Sequence, residues 1–451
     1  MISATSVTSA VDSASAARSA VRTIARPSAS ATGTLFGVFA LVATAIVMPL
    51  GGNAAMAGGT IECTSGWQPG IGQPGPTRVV SAIRRHDGLV YAGTAEFSVQ
   101  SIFRYIDGQW QSGSVIGEVF ALGEFESDLI VTGEFKVYFE TEAGPGTGVA
   151  YNVARFDGTS WSDLDDGNDG PDGPVYASIV HDGDLIIGGN FFGVGPISTR
   201  GIARFDGTAW QPVGGDLGAV VALAVLDGEL VAGGSISPKG IGGGYNVLRF
   251  DGTSWSKVGS GFNGQVLALA VYDGQLIVGG AFTSAGGVAA HSIARFNGTR
   301  WEALPTASGS GVAGAVTSLT IYGGDLVAAV NSTNAHDRLV RYDGAEWSSV
   351  GQGADGPIRD LHADDETLFI GGAFQIVGTA APSRHVAAWV ECPTPSIPGD
   401  LNGDGVVNAQ DLAILLSFWG SCADCGDCIA DLNGDCVVNA QDLAELLSYW
   451  G

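Results

Sequence analysis

Basic residues are scarce in this chain of 451 residues: 20 Lys and Arg stand against 46 Asp and Glu, a net charge of −26. That excess disfavours a nucleic-acid partner, because nothing is left to neutralise phosphates, and makes cations the more natural ligands. Charge of either sign is itself sparse, 15% against 45% hydrophobic residues, which excludes a mostly disordered chain. Cysteine is nearly absent, with six residues and none between Cys63 and Cys392. Long apolar runs are missing apart from Leu35 to Leu50, which is shorter than the ~20 residues of a spanning helix. Catalytic signatures are missing too. There is no HExxH, GxSxG or paired-His spacing, and His86, His181, His291, His336, His362 and His385 are dispersed along the chain.

Upstream of that apolar run lie Arg18, Arg22 and Arg26 in an Ala/Ser/Thr-rich segment, and downstream lies the small-x-small site Ala55-Met56-Ala57. A charged segment, an apolar segment and a processing site in this order predict a signal peptide over residues 1–57. The alternative is a retained anchor. Export places the protein outside the cell or at its surface, with no membrane contact after cleavage, and in an oxidising compartment the six cysteines read first as disulfides.

Glycine is the opposite case, with 70 residues, and tight turns account for it. The stretch Val266 to Trp301 reads as short apolar β segments with Asp273-Gly274 and Asn297-Gly298 at two joints, the strongest local hairpin signal. Copies start near Val79, Val119, Val175, Val220 and Val316, with signatures such as ARFDGTSW ending at Trp161 and ARFDGTAW ending at Trp210. A seventh copy begins at Ile358 and stops at Cys392 without its Trp strand, while Ile61 to Pro69 holds Trp67 with no repeat before it. Repeat tryptophans 45 to 51 residues apart, with four strands per unit, predict an all-β seven-bladed propeller over residues 58–392. Residues 61–69 then complete blade 7. That closure brings Cys63 beside Cys392 and predicts a disulfide between them, which restricts the unfolded chain by up to roughly 5 kcal/mol.

The GGxF and ARFDGxxW elements resemble those of kelch-like, galactose-oxidase-like propellers, and the resemblance covers about residues 61–392. It implies a fold and leaves function open, since such rings host enzymes, glycan binders and protein scaffolds. Residues shared by every blade, including Trp161, Trp210 and Trp255, serve the architecture first. The copies differ most between their second and third strands, at Phe135–Tyr151, Phe191–Gly201, Ser235–Tyr245 and Asn331–Asp337. These loops share one face and form the candidate binding rim. Glu140 and Glu142 in the first of them could serve as acid and base, but in a chain with 46 acidic residues such pairs arise freely. No residue is assigned as catalytic.

After a Pro-rich linker at residues 393–399, two 21-residue segments beginning at Asp400 and Asp431 are identical at 18 positions. Each resembles the calcium-loop and helix repeat of a type I dockerin, which predicts a small all-α domain over residues 400–451. Calcium takes oxygens from loop positions 1, 3, 5, 7, 9 and 12. Those positions are Asp400, Asn402, Asp404, the Val406 carbonyl, Asn408 and Asp411 in the first loop. In the second they are Asp431, Asn433, Asp435, the Val437 carbonyl, Asn439 and Asp442. Two calcium ions are expected. The apolar series Leu412, Leu415, Leu416, Trp419 and its counterpart Leu443, Leu446, Leu447, Trp450 are expected to bury against each other. The resemblance implies a cohesin-like partner, contacted at loop positions 10 and 11. Ala409-Gln410 and Ala440-Gln441 stand there, where the family often carries a Ser-Thr-like pair. Cys436 replaces the expected glycine at position 6 of the second loop. With Cys422, Cys425 and Cys428 it reads as two disulfides of undetermined pairing, a four-cysteine zinc site being the alternative.

Two functional classes follow. The first is a secreted, non-catalytic scaffold whose propeller face binds a glycan or protein and whose calcium-dependent module attaches it to a partner. The second is a polysaccharide-active enzyme delivered by the same module. The missing catalytic spacings favour the scaffold.

Overall fold

Seven four-stranded antiparallel sheets follow one another along the chain in a computed structural model. The model describes residues 66–68, 70–96, 99–141, 144–164, 170–236, 244–306, 309–391, 399–401, 407–421, 428, 430–433 and 435–450. Blade 5 is representative, with strands Gln265–Tyr272, Gln275–Ala281, Ile293–Phe296 and Trp301–Ala303 paired in that order. Its first turn holds Asp273 at φ 49° and Gly274 at φ 67°, the doubly positive geometry that lets a two-residue turn follow strand twist. Asp87, Asp182 and Asp227 repeat it in blades 1, 3 and 4, each followed by a glycine of positive φ.

The inner strands of the seven blades touch in succession, and Ile358–Ala363 of blade 7 touches Val80–His86 of blade 1, so the ring closes. Gly66–Trp67 supplies the outer strand of blade 7, pairing with Val386–Val390 in the register Trp67 to Trp389. The two indoles meet edge to face at 5.3 Å.

Seven apolar clusters each fill the gap between neighbouring sheets. A glycine in the second strand makes that packing possible. A Cβ on Gly279 would lie 2.5 Å from the Val316 side chain of the next blade, and one on Gly371 would lie 2.5 Å from Val80 across the closure. The Trp strand supplies a second tie. Trp301, 2% exposed, donates its indole N–H to Val258 O at 3.1 Å, and Trp255 donates to Val213 O at 3.0 Å. Trp67 repeats the bond to Gly351 O at 2.7 Å. Each indole thus fixes one blade to the carbonyl that ends its predecessor, and a buried indole also satisfies its only donor.

The segment Phe135–Tyr151, expected as a loop, is instead ladder: strands Asp128–Thr141 and Gly144–Phe156 pair beyond the blade. Val137 is fully buried while Tyr138 is exposed, an alternation of period two that specifies strand. Glu140 is exposed on this hairpin, and Glu142 lies outside the described residues. In blades 3, 5 and 7 the corresponding loops carry two-stranded hairpins of their own, and in blade 6 the segment Ala335–Arg338 is a 3-10 turn.

The C-terminal module contains helices α1 (Ala409–Ser417) and α2 (Ala440–Ser448). Its core is small: Val407, Leu415, Ala430, Val438 and Leu446 are buried. Leu412 and Leu443 pack partly, but the rest of the expected apolar face is open, with Leu416 and Trp419 51% and 49% exposed and Leu447 and Trp450 49% and 44%. Trp419 and Trp450 lie beyond the ends of the two nine-residue helices, and Leu416 and Leu447 flank the buried Leu415 and Leu446 on the open side. No helix among the described residues is long and apolar enough to cross a membrane.

Candidate functional site

In the C-terminal module, each helix opens on a reciprocal cap built from its loop. Asn408 accepts the Gln410 N–H at 2.8 Å, while the buried Asp411 carboxylate accepts the N–H groups of Asn408 and Leu401, both at 2.8 Å. Asn439 and Asp442 repeat this with Gln441, Asn439 and Leu432. Position 12 thereby ties both ends of its loop to the helix. Within the second loop, Asp431 accepts the N–H groups of Asp435 and Cys436 at 3.1 and 2.7 Å. Asn433 accepts that of Asp435 at 2.9 Å, and Asp435 accepts that of Val437 at 3.0 Å. These bonds wind the backbone around the side-chain oxygens. Asn402, Asp404 and Val406 lie outside the described residues.

The donor set is all oxygen, as a hard cation requires. Residues 393–451 hold nine Asp or Glu and no Lys, Arg or His, so no side chain of the module can neutralise Asp411 and Asp442, both 0% exposed. Burying a carboxylate is costly unless positive charge answers it, and an acidic, all-oxygen loop fits calcium on that ground. Among the described residues no three His, Cys, Asp or Glu side chains close on a single point; in the second loop Asn433 and Asn439 add side-chain amide oxygens to those of Asp431, Asp435 and Asp442. Cys436 takes φ +69° at position 6, a conformation that costs a residue with a Cβ about 1 kcal/mol or more. Cys428 and Cys436 are disulfide-bonded, and no described cysteine is free. Cys63, Cys392, Cys422 and Cys425 lie outside the described residues. Ala409, Gln410, Ala440 and Gln441 are exposed at the first turns of α1 and α2.

A second constellation sits in the ring, at positions that sequence reasoning passed over. Each inner strand carries a β-bulge after its first Val or Ile, between Val80 and Ala82 in blade 1 and between Ile358 and Asp360 in blade 7, with equivalents in the other five. A bulge leaves one residue out of the ladder and re-aims it. In every blade that residue lines a central cavity of about 430 Å³. In six blades it is uncharged; in blade 7 it is Arg359. The next position is Ala in five blades, Ser318 in blade 6 and Asp360 in blade 7. Two residues further on stand Arg84 in blade 1 and His362 in blade 7, where most other blades carry small or apolar residues.

These departures from the repeat fall side by side. Asp360 accepts the Ile83 N–H at 2.9 Å from blade 1 and the Ser318 hydroxyl at 3.2 Å from blade 6. It packs between the inner strands of blades 6 and 1 at the cavity wall, and burial pushes its carboxyl up to about 6, against the pull of those bonds. Burial, aided by Arg84, pushes the His362 imidazole down to about 4. His362 also lines an adjoining cavity of about 460 Å³ with Arg85, His86, Glu124 and Asp364. There Arg85 pairs with Asp364 at 3.0 Å and Arg84 with Glu124 at 3.4 Å. The His86 side chain is 2% exposed, with Nδ1 3.6 Å from Glu124 and no hydrogen bond. The structure therefore gathers two of the six dispersed histidines in a cavity lined by five carboxylates, Asp87, Glu124, Asp364, Asp365 and Glu366. Comparing the seven inner strands position by position would have found them.

Residues 398–450 match the family model of the Dockerin type I domain, and residues 215–364 match that of the Rax2 C-terminal beta propeller domain. The chain thus joins a seven-bladed propeller to a type I dockerin domain, a kind of module that binds calcium. Among solved structures, the computationally designed Ika8 protein is similar at 17% identity over 70% of this chain and 97% of its own, with a TM-score of 0.43. A chain of the Mitotic Checkpoint Complex is similar at 13% identity over 69% and 90%, with a TM-score of 0.44. No curated protein matches the chain.

Proposed function

We propose that this protein is a secreted or cell-surface binding scaffold. In this reading the propeller holds a glycan or protein ligand, and the dockerin domain attaches the chain to a cohesin-like partner. The observation that carries the reading is the matched dockerin domain, with its paired loops and cation-free acidic composition, on the same chain as a ring whose blades diverge at one point. Two calcium ions belong to it, one held by Asp400, Asn402, Asp404, Val406, Asn408 and Asp411 and one by Asp431, Asn433, Asp435, Val437, Asn439 and Asp442. Calcium supplies the positive charge that this module lacks. The chain's own part is to present oxygens and to cap α1 and α2 with the same carboxylates, so that loop closure and helix formation are one event. Ala409, Gln410, Ala440 and Gln441, exposed beside the exposed rows of α1 and α2, are positioned for the partner.

Signal cleavage near residue 57, a Cys63–Cys392 bridge across the ring closure and two bridges among Cys422, Cys425, Cys428 and Cys436 complete the proposal. The ring carries no residue assigned to catalysis. Incubating the mature chain with a panel of polysaccharides tests the scaffold role: retention without release of soluble sugars is the expected outcome, and turnover would replace the scaffold with the enzyme.

A further inference from the structure

In the central cavity, two arginines stand against a single carboxylate, although the protein as a whole is acidic. The cavity's titratable lining consists of Arg84, Arg359, Asp360 and a neutral His362. Asp360 is engaged by protein donors, the Ile83 N–H and the Ser318 hydroxyl, and makes no ion pair with either arginine within 4.0 Å. Arg84 is held on one side by Glu124 from the adjoining cavity, and its Nε has no acceptor. Arg359 is exposed to the cavity and has no side-chain partner among the described residues. The remaining wall is apolar, aromatic or hydroxyl-bearing, including Phe120, Tyr176, Ser178 and Thr317.

We infer that the central cavity is a binding site for a small carboxylate-bearing ligand, with Arg359 as its principal anchor. A guanidinium presents two parallel N–H groups to a carboxylate, a geometry that a lysine or a hydroxyl does not supply. A volume of about 430 Å³ is in the range of small-molecule sites and takes a single sugar acid or a short organic acid. The acidic exterior does not forbid an anion here, since charges more than about 8 Å away are screened at physiological salt. Nor is Arg359 placed there by the fold: the bulge that aims it inward occurs in all seven blades, and the other six fill it with uncharged side chains. The inference rests on the reading of the ring as the ligand-binding part of the chain, and narrows it to one site and one chemistry.

Calorimetric titration of the full chain with D-galacturonate, with succinate and with uncharged D-galactose tests it, on the native protein and on Arg359→Gln and Arg359→Lys. Because Arg359 is exposed and unpaired, both variants are expected to fold, and thermal melts coincident with the native protein verify that. Expected are binding of at least one carboxylate, at least tenfold weaker binding of D-galactose, and a loss of tenfold or more in Arg359→Gln that Arg359→Lys only partly restores. Preference between galacturonate and succinate tells a sugar acid from an organic acid. Absence of heat with both carboxylates, equal binding of galactose, or carboxylate binding unchanged in Arg359→Gln overturns the inference. Retention on a polysaccharide that Arg359→Gln leaves intact also overturns it, while leaving the scaffold proposal standing.

Discussion

Replacing Asp360 and His362 one at a time should expose two opposed pH dependences that nearly cancel in the native protein. Asp360 rises from 3.8 to about 6 on folding. A raised acid favours the fold fully below its unfolded value, and that stability is lost as pH climbs from about 4 through 6. At 1.36 kcal/mol per unit the loss is up to about 3 kcal/mol. His362 falls from 6.5 to about 4. Its neutral form is the folded one, so stability is full above 6.5 and is lost as pH falls toward 4, again by up to about 3 kcal/mol. Asp360→Asn should therefore gain on the native protein at pH 7, with the advantage vanishing by pH 4, while His362→Gln should match it at pH 7 and gain at pH 4. Urea unfolding followed by tryptophan fluorescence at pH 7, 5.5 and 4, with calcium held constant, reads both differences. Constant packing offsets drop out because only the change with pH counts. Variants whose differences from the native protein do not vary with pH, or vary in the same direction, would refute the assignment of the buried charges.

Other perturbations probe the ring and the module. Gly371→Val places a side chain against Val80 at the closure, and overpacking of this kind should cost about 1–3 kcal/mol or more in the urea midpoint. Trp301→Ala removes a buried indole and its bond to Val258 O, with an expected loss of about 3–5 kcal/mol. Chelating calcium should abolish the helical circular dichroism of residues 397–451, because five buried apolar residues are too small a core to fold alone; helix content unchanged by chelator would contradict it.

The ring was legible because its instructions are local and repeated. Asp273-Gly274 sets a turn, Gly279 admits the next blade's valine, and Trp301 caps the preceding blade, all within one unit. The dockerin was legible for the same reason, its two segments stating one loop twice. What escaped was whatever depends on closure. Asp360 bonds Ile83 across 277 residues, and no window along the chain holds both His86 and His362. The loops vary in length and stand out in the sequence, whereas on the inner strands a single substituted bulge residue, Arg359, changes the charge of the cavity. The hairpin at Phe135–Tyr151 looks like a loop in the sequence because its length exceeds that of its counterparts, although Val137 and Tyr138 alternate inside and out. The open Leu416 and Trp419 show the limit of periodicity, which finds an apolar face without saying what covers it.

In the proposed function, calcium makes this chain an attachable carrier. Passing the full-length protein over an immobilised type I cohesin, first in millimolar calcium and then in chelator, measures that directly. Capture in calcium and release on chelation are expected, with capture lost in the paired variant Asp400→Ala, Asp431→Ala. Calcium-loaded protein that passes unretained, or retention that chelator leaves unchanged, would contradict it.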